Sequence, residues 1–77
     1  MRLSANQQAV FDLVKRSGAI GISGEALRAR VWRGLETSHN IVSATVCHAN
    51  RKLALVGLRI RSTGGPGSAY WLVEVRA

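Results

Sequence analysis

The chain has 77 residues, of which 47% are hydrophobic and 19% are charged, a balance typical of a globular domain and not of a disordered chain. Eleven Lys and Arg residues against four Asp and Glu residues give a net charge of +7, which favours a polyanionic partner. The single cysteine, Cys47, excludes an internal disulfide and a cysteine-based zinc site, and no apolar run is long enough to span a membrane.

The first predicted helix begins at Ser4 and ends at Gly18. Ser4 and Gln7 have the spacing of a capping box, in which each side chain accepts a hydrogen bond from a backbone N–H group that the first turn leaves free. Val10 and Val14 lie four residues apart and form the centre of the predicted buried face. A glycine at the end suits the left-handed conformation that often closes a helix.

The second helix is predicted from Gly24 to about Arg33, with Ser23 as its N-cap and Leu27 on its apolar side. A short apolar segment, residues 19–22, precedes it between two glycines. This segment is too short for a helix, so we predict a brief strand there.

The third helix, about residues 38–56, has a clear amphipathic pattern. Apolar residues recur at steps of four, three and four residues, which is the spacing of a single buried stripe. This stripe consists of Val42, Val46, Ala49 and Leu53. The opposite side carries only small, hydrogen-bonding or cationic side chains, namely Asn40, Ala44, Cys47, His48 and Arg51. The pattern predicts a helix whose back packs on the domain and whose front faces a partner.

After Gly57 the sequence changes from a helical to an alternating period. Residues 58–62 alternate apolar and polar side chains, as a half-buried strand does. The glycine-rich segment STGGPGS then supplies a turn, and AYWLVEV supplies the returning strand. Residues 58–75 are therefore predicted to form a β-hairpin. Alternation places Trp71 on one face and its two neighbours on the other.

Three helices followed by a β-hairpin are the element order of a winged helix-turn-helix. The predicted fold is therefore an α+β winged helix-turn-helix with a C-terminal hairpin wing, and a single domain covers residues 1–77. In such a domain the third helix enters the major groove of DNA, and the wing lies on the flanking backbone or in the minor groove.

The distribution of charge supports a nucleic-acid partner. Residues 37–73 contain no acidic side chain, although they carry Arg51, Lys52, Arg59 and Arg61. Carboxylates would be repelled by phosphates, which occur about every 1.7 Å along a duplex. Asn40 has the groups to pair with adenine, and Arg51 or His48 can donate to guanine or to phosphate.

Several of these residues also have a purely structural explanation. Asn40 is as suited to capping the helix as to reading a base. Cys47 is compatible with a small, partly buried filler, and Arg51 lies near the helix end, where the dipole favours a cation. Arg59 and Arg61 share one strand face, and cationic side chains often protect sheet edges from unwanted pairing.

In the order and spacing of its motifs, the chain resembles the DNA-binding domain of OmpR/PhoB-type response regulators over residues 3–72. The motifs are LS before the first helix, ISGEAL followed by VW, the third-helix pattern ending in RKL, and IRST…G…YWL. The chain differs from that family in lacking a sheet before the first helix and a receiver domain. It also has few arginines on the third helix.

The resemblance implies that the exposed face of the third helix reads bases and that the wing contacts the duplex beside it. The predicted base-reading residues are Asn40, Ser43, Ala44, Cys47, His48 and Arg51. The predicted backbone and wing contacts are Thr37, Lys52, Arg59, Arg61, Ser62, Thr63, Gly64 and Gly65. The resemblance further implies that Tyr70 and Leu72 face the helices and that Trp71 is part-exposed.

The sequence therefore predicts a cytoplasmic, nucleoid-associated transcriptional regulator that binds double-stranded DNA. We expect no enzymatic activity, cofactor, membrane partner or small-molecule ligand. No metal site is expected either, since His39, Cys47 and His48 diverge around the helix. A homodimer or a contact with RNA polymerase is a further expectation. The alternative is a winged-helix module that binds proteins of the transcription machinery, which the few arginines of the third helix favour.

Overall fold

The computed structural model of the protein describes residues 2–33, 40–63 and 69–75. These residues form an α+β fold of three α-helices and a three-stranded antiparallel sheet, which confirms the predicted class and is compatible with a winged helix. The helices are α1 (Ala5–Ser17), α2 (Gly24–Val31) and α3 (Asn40–Leu53), with 3₁₀ turns at Gly18–Ile20 and Ala54–Val56. The strands are β1 (Ile22–Ser23), β2 (Leu58–Ser62) and β3 (Ala69–Glu74).

The start of α1 has the predicted capping box. The Gln7 backbone N–H donates to the Ser4 hydroxyl at 3.3 Å, and the Ser4 backbone N–H donates to the Gln7 side-chain carbonyl at 3.1 Å. The helix ends before Gly18, whose φ of 59° is positive as a glycine stop requires. Val10 and Val14 are fully buried, so the predicted apolar face is confirmed.

The end of α2 differs from the prediction, because the helix stops at Val31 instead of Arg33. Trp32 still donates its backbone N–H to the Arg28 carbonyl at 3.0 Å, but its ψ of 3° leaves the helical range. Trp32 is 6% exposed and belongs to the core. The early stop therefore coincides with the turn that buries the indole. Gly34, the first glycine after α2, lies outside the described residues.

The apolar segment before α2 is only partly a strand. Gly18–Ile20 forms a 3₁₀ turn, and the strand is Ile22–Ser23, which pairs with β3. Gly21 joins the two with a φ of 82°, and a Cβ atom on it would lie 2.9 Å from the carbonyl oxygen of Tyr70. Glycine is therefore required where the chain passes this close to β3. Ser23 is the N-cap of α2, as predicted, and its hydroxyl accepts a backbone N–H at 3.1 Å.

The core lies between the three helices and the inner face of the sheet. Its buried hydrophobic residues are Val10, Val14, Leu27, Trp32, Val42, Val46, Ala49, Leu53, Ile60 and Tyr70. All four residues of the predicted α3 stripe are among them, so that stripe is confirmed. The α-helix ends at Leu53 and continues as a 3₁₀ turn to Val56, where Gly57 closes it in the left-handed conformation. The predicted first residues of this helix, 38 and 39, lie outside the described residues.

The hairpin prediction is confirmed for both strands. β2 and β3 pair antiparallel, with Ile60 opposite Leu72 and Arg61 opposite Trp71. Tyr70 is 6% exposed and Leu72 is half-buried against the core, as expected. Trp71 is half-buried on the other face of the sheet. The glycine-rich tip, residues 64–68, lies outside the described residues.

One side chain of α3 is hydrogen-bonded to the free edge of the sheet. The strand order β1-β3-β2 leaves β2 at an edge. Gly57 and Thr63 bond to β3, so strand alternation turns the backbone groups of Ile60 away from β3. The Asn50 side chain meets both of them, donating to the Ile60 carbonyl at 3.0 Å and accepting from the Ile60 N–H at 2.8 Å. Asn50 thereby takes the place of a neighbouring strand at this position.

We expect Asn50→Ala to lower the free energy of unfolding by about 1–3 kcal/mol, because it leaves the buried backbone groups of Ile60 without a partner. Asn50→Asp keeps the acceptor but sets a carboxylate against the Ile60 carbonyl, so it should also destabilise. Asn6→Ala, at an exposed position of α1, is the matched control and should change stability by less than about 0.5 kcal/mol. Urea unfolding followed by circular dichroism measures all three, and an Asn50→Ala variant as stable as the control would contradict the role.

Candidate nucleic-acid interface

The front of α3 is fully open to solvent. Every predicted base-reading residue on it is exposed, namely Asn40, Ser43, Ala44, Cys47, His48 and Arg51. The opposite side of the same helix is buried in the core. Cys47 is therefore not the partly buried filler that was its alternative explanation. The helix presents a surface of small and polar side chains with no carboxylate on it.

Strand β2 carries the second part of the site. Arg59 and Arg61 are exposed, and both lie on the sheet face opposite to the buried Ile60. Neither guanidinium has a hydrogen-bond or ion-pair partner among the described residues, and the same is true of Arg51 on α3. Three unpaired cations thus border one side of the molecule, and residues 37–73 contribute no acidic side chain to oppose them.

A groove of about 440 Å³ joins these two parts, and we name it the α3–β2 groove. Its walls are Ser43, Val46, Cys47 and Asn50 from α3, Arg59 to Ser62 from β2, and Tyr70. The groove therefore brings together five of the predicted contact residues from two separate segments of the chain: Ser43, Cys47, Arg59, Arg61 and Ser62. The double hydrogen bond from Asn50 to β2 fixes the distance between the two walls.

Lys52 does not lie with the other cations. Its ammonium group donates to the side-chain carbonyl of Gln7 at 2.9 Å and is part-buried. Since Gln7 belongs to the capping box of α1, Lys52 lies on the flank of α3 that packs against α1. Its predicted contact with the DNA backbone stays a prediction, but the side chain has a structural partner already.

Thr63 also has a structural partner. Its backbone N–H donates to the Ala69 carbonyl, and its hydroxyl accepts from the Ala69 N–H, both at 3.2 Å. Thr63 and Ala69 therefore close the ladder at the base of the hairpin tip. The remaining predicted contacts, Thr37, Gly64 and Gly65, lie outside the described residues.

Asn50 lines the groove although it was not a predicted contact, and Trp71 is a candidate interface residue because of its predicted partial exposure. Trp71 lies directly across from Arg61 on the cationic face of the sheet, where cross-strand side chains are in reach of each other. Asn50 lies at the border between the polar front of α3 and the core. Its amide is bonded to strand β2, and the sequence alone does not indicate this partner. Strand alternation was enough to place Trp71.

The described residues contain no group of three or more His, Cys, Asp and Glu side chains arranged for a metal ion. His39, one of the residues considered as a ligand, lies outside them. Among the described residues, no helix has both the length and the apolar character needed to cross a membrane.

Comparison of the chain with protein families, curated proteins and solved structures found no significant match. The resemblance to OmpR/PhoB-type domains therefore stays a prediction, which rests on the order and spacing of short motifs. Any function has to be argued from the geometry and charge of the α3–β2 surface itself.

We expect Cys47 to react with a thiol reagent such as Ellman's reagent in the native protein, at a rate close to that of the unfolded chain, because its side chain is exposed. Release of the coloured thiolate measures the rate, and one equivalent per chain should react. Cys47→Ser is the control and should give no signal. Reaction only after addition of denaturant would show that the front of α3 is covered.

Proposed function

We propose that the chain is a winged-helix DNA-binding protein that acts as a small transcriptional regulator in the cytoplasm. In this proposal α3 lies in the major groove, and the β2–β3 hairpin lies on the flanking backbone as a wing. The observation that carries it is the continuous surface formed by the front of α3, the α3–β2 groove and the unpaired arginines of β2. This surface contains no acidic side chain between residues 37 and 73.

The dimensions of the α3 front suit close approach to base edges. Ser43 and Ala44 are small, so the first turns of the helix can enter a groove without steric obstruction. Asn40 is the first described residue of α3, and its side chain has a donor and an acceptor that complement those of adenine. The methyl group of Ala44 can contact the methyl group of thymine. The helix end that enters first thus carries the groups that discriminate between bases.

The arginines serve a different purpose in this arrangement. Arg51 lies in the last turn of α3, and Arg59 and Arg61 lie on β2, so none of the three belongs to the N-terminal turn of the helix. Contacts from such positions reach the sugar-phosphate backbone, where they position the protein without reading sequence. An OmpR/PhoB-type origin agrees with this division of labour but is not needed for it.

A second candidate function is a protein-binding module. The observation that favours it is the exposure of large apolar side chains just beyond α3, with Leu55 at 79% and Val56 at 52%. Exposed apolar patches often mark protein interaction sites. These residues lie outside the α3–β2 groove, so a protein contact there is compatible with DNA binding as well as an alternative to it.

Binding to a duplex of random sequence should fall steeply with salt, because cation–phosphate contacts release counterions. A log–log slope of about −3 to −6 is expected for the few phosphates that this surface can neutralise. Fluorescence anisotropy with a labelled duplex at several salt concentrations measures it. A flat response, or no binding at about 50 mM salt, would leave the protein-binding module as the better proposal.

Replacement of the arginines should differ in effect from replacement of Asn40. Arg51→Ala and Arg61→Ala should each weaken binding to a selected site and to random DNA alike, and reduce the salt slope by about one unit. Asn40→Ala should cost roughly 1–3 kcal/mol on the selected site and little on random DNA. The selected site is obtained by enrichment from random duplexes, and anisotropy measures both affinities.

Lys52→Ala is the matched cation control. Because its ammonium is bonded to Gln7 on the flank of α3, its loss should weaken DNA binding less than the loss of Arg51. Melting temperatures are needed for every variant, since Asn40 is also suited to capping. If a folded Asn40→Ala variant loses affinity equally for both DNAs, α3 does not read bases through this residue.

A further inference from the structure

A second cavity lies beside the α3–β2 groove, towards the C-terminal end of α3. It has a volume of about 540 Å³, within the roughly 300–1,000 Å³ typical of small-molecule sites. Its lining residues are Cys47, Asn50, Arg51, Ala54, Gly57, Leu58, Arg59 and Val75. We name it the apolar cavity, because most of its exposed lining is apolar, whereas the lining of the groove is more polar than apolar.

The fold supplies this cavity from three elements. α3 and its 3₁₀ extension form one wall, and β2 forms the other. Gly57 and Val75 close the end, where the Val75 N–H donates to the Gly57 carbonyl at 2.8 Å. Asn50 donates one N–H to β2 and accepts another from it, so the orientation of its amide is fixed by the strand.

The charged side chains that line the cavity are two cations. Arg51 and Arg59 line it from opposite walls, both are exposed, and neither has a partner among the described residues. The carboxylate nearest in the sheet is Glu74, which pairs in register with Leu58 but does not line the cavity. An apolar recess bordered by two unpaired guanidinium groups is complementary to a molecule with a hydrocarbon body and an anionic head.

We propose that the apolar cavity binds an amphipathic carboxylate, with its hydrocarbon body against Ala54, Leu58 and Val75 and its carboxylate on Arg51 and Arg59. The cavity shares Cys47, Asn50 and Arg59 with the α3–β2 groove. Arg51 also belongs to the front of α3. Bound carboxylate therefore occupies cations that the DNA backbone would otherwise contact, so ligand and DNA compete. This competition rests on the proposed DNA-binding function, but the binding site itself does not.

Binding is tested without DNA by isothermal titration calorimetry with decanoate below its micelle concentration. We expect one saturable site per chain, and no such site for decyltrimethylammonium, which has the same hydrocarbon body and the opposite charge. The double variant Arg51→Gln/Arg59→Gln should weaken decanoate binding by about tenfold or more. Arg16→Gln, at an exposed position in the last turn of α1, is the matched control and should bind as the unchanged protein does.

A second variant tests the contribution of the apolar recess to binding while both charges stay in place. Ala54→Met leaves both arginines in place and extends a flexible side chain from an exposed position into the cavity. It should abolish the decanoate site while the circular dichroism spectrum and melting temperature stay those of the unchanged protein. Equal binding of the cationic amphiphile, or decanoate binding that neither variant reduces, would overturn the site.

The competition is measured separately with labelled duplex DNA. Saturating decanoate should weaken DNA binding of the unchanged protein and have no effect on DNA binding of the Ala54→Met variant. DNA binding without a decanoate site overturns this inference and leaves the proposed function intact. A decanoate site in a protein that binds no DNA overturns the proposed function and leaves the site. Simultaneous binding of both ligands overturns the competition.

Discussion

The two hydrogen bonds between Asn50 and Ile60 hold the two walls of the α3–β2 groove together. They join the C-terminal part of α3 to the middle of β2 at 2.8 and 3.0 Å, across a sequence separation of ten residues. Ile60 is 2% exposed and contributes its side chain to the core, so its backbone groups need partners on the side that β3 does not reach. Among the described residues no other hydrogen bond joins the helix to the strand, and apolar contacts specify separation less strictly than directional bonds do.

The same contact also protects the sheet. An edge strand with free backbone groups invites pairing with another chain, and β2 is such an edge. Asn50 occupies the outward groups of Ile60, and the exposed Arg59 and Arg61 on either side add charge that opposes the approach of a second cationic copy. Arg59 and Arg61 are therefore compatible both with protection of the sheet edge and with the proposed contact to DNA.

Much of the fold follows from local sequence patterns. The α3 stripe, the capping box of α1, the N-cap of α2 and the alternation of β2 each depend on residues that are close in sequence, and the structure has all four. The predicted elements differ from the structure where contacts between residues that are distant in sequence determine the local conformation. α2 ends early where Trp32 turns into the core, and the segment before α2 becomes a strand only where it reaches Tyr70.

The candidate site was predictable in its residues but not in its arrangement. Periodicity alone assigned Ala44, Cys47 and Arg51 to an exposed face. The distance between this face and the two arginines of β2, Arg59 and Arg61, depends on Asn50. The cavity between α3 and β2 depends also on the contact between Gly57 and Val75. Lys52 is a case in which the sequence position alone does not show on which side of the helix the charge lies. Its charge and position next to Arg51 group it with the cations of the front, yet one residue of rotation around the helix carries it to the α1 flank and to Gln7.

This separation of faces allows the surface to change without loss of the fold. The core residues of α3 occupy one side, and the exposed residues of its front make no contact on which the core depends. In a chain of 77 residues the buried core is small, so substitutions that reach it are costly. The exposed residues of α3 between Asn40 and Arg51 can therefore vary on the same scaffold. Three polar residues of this helix are exceptions, because Thr45 is buried, Lys52 is bonded to α1, and Asn50 is bonded to the strand that forms the opposite wall.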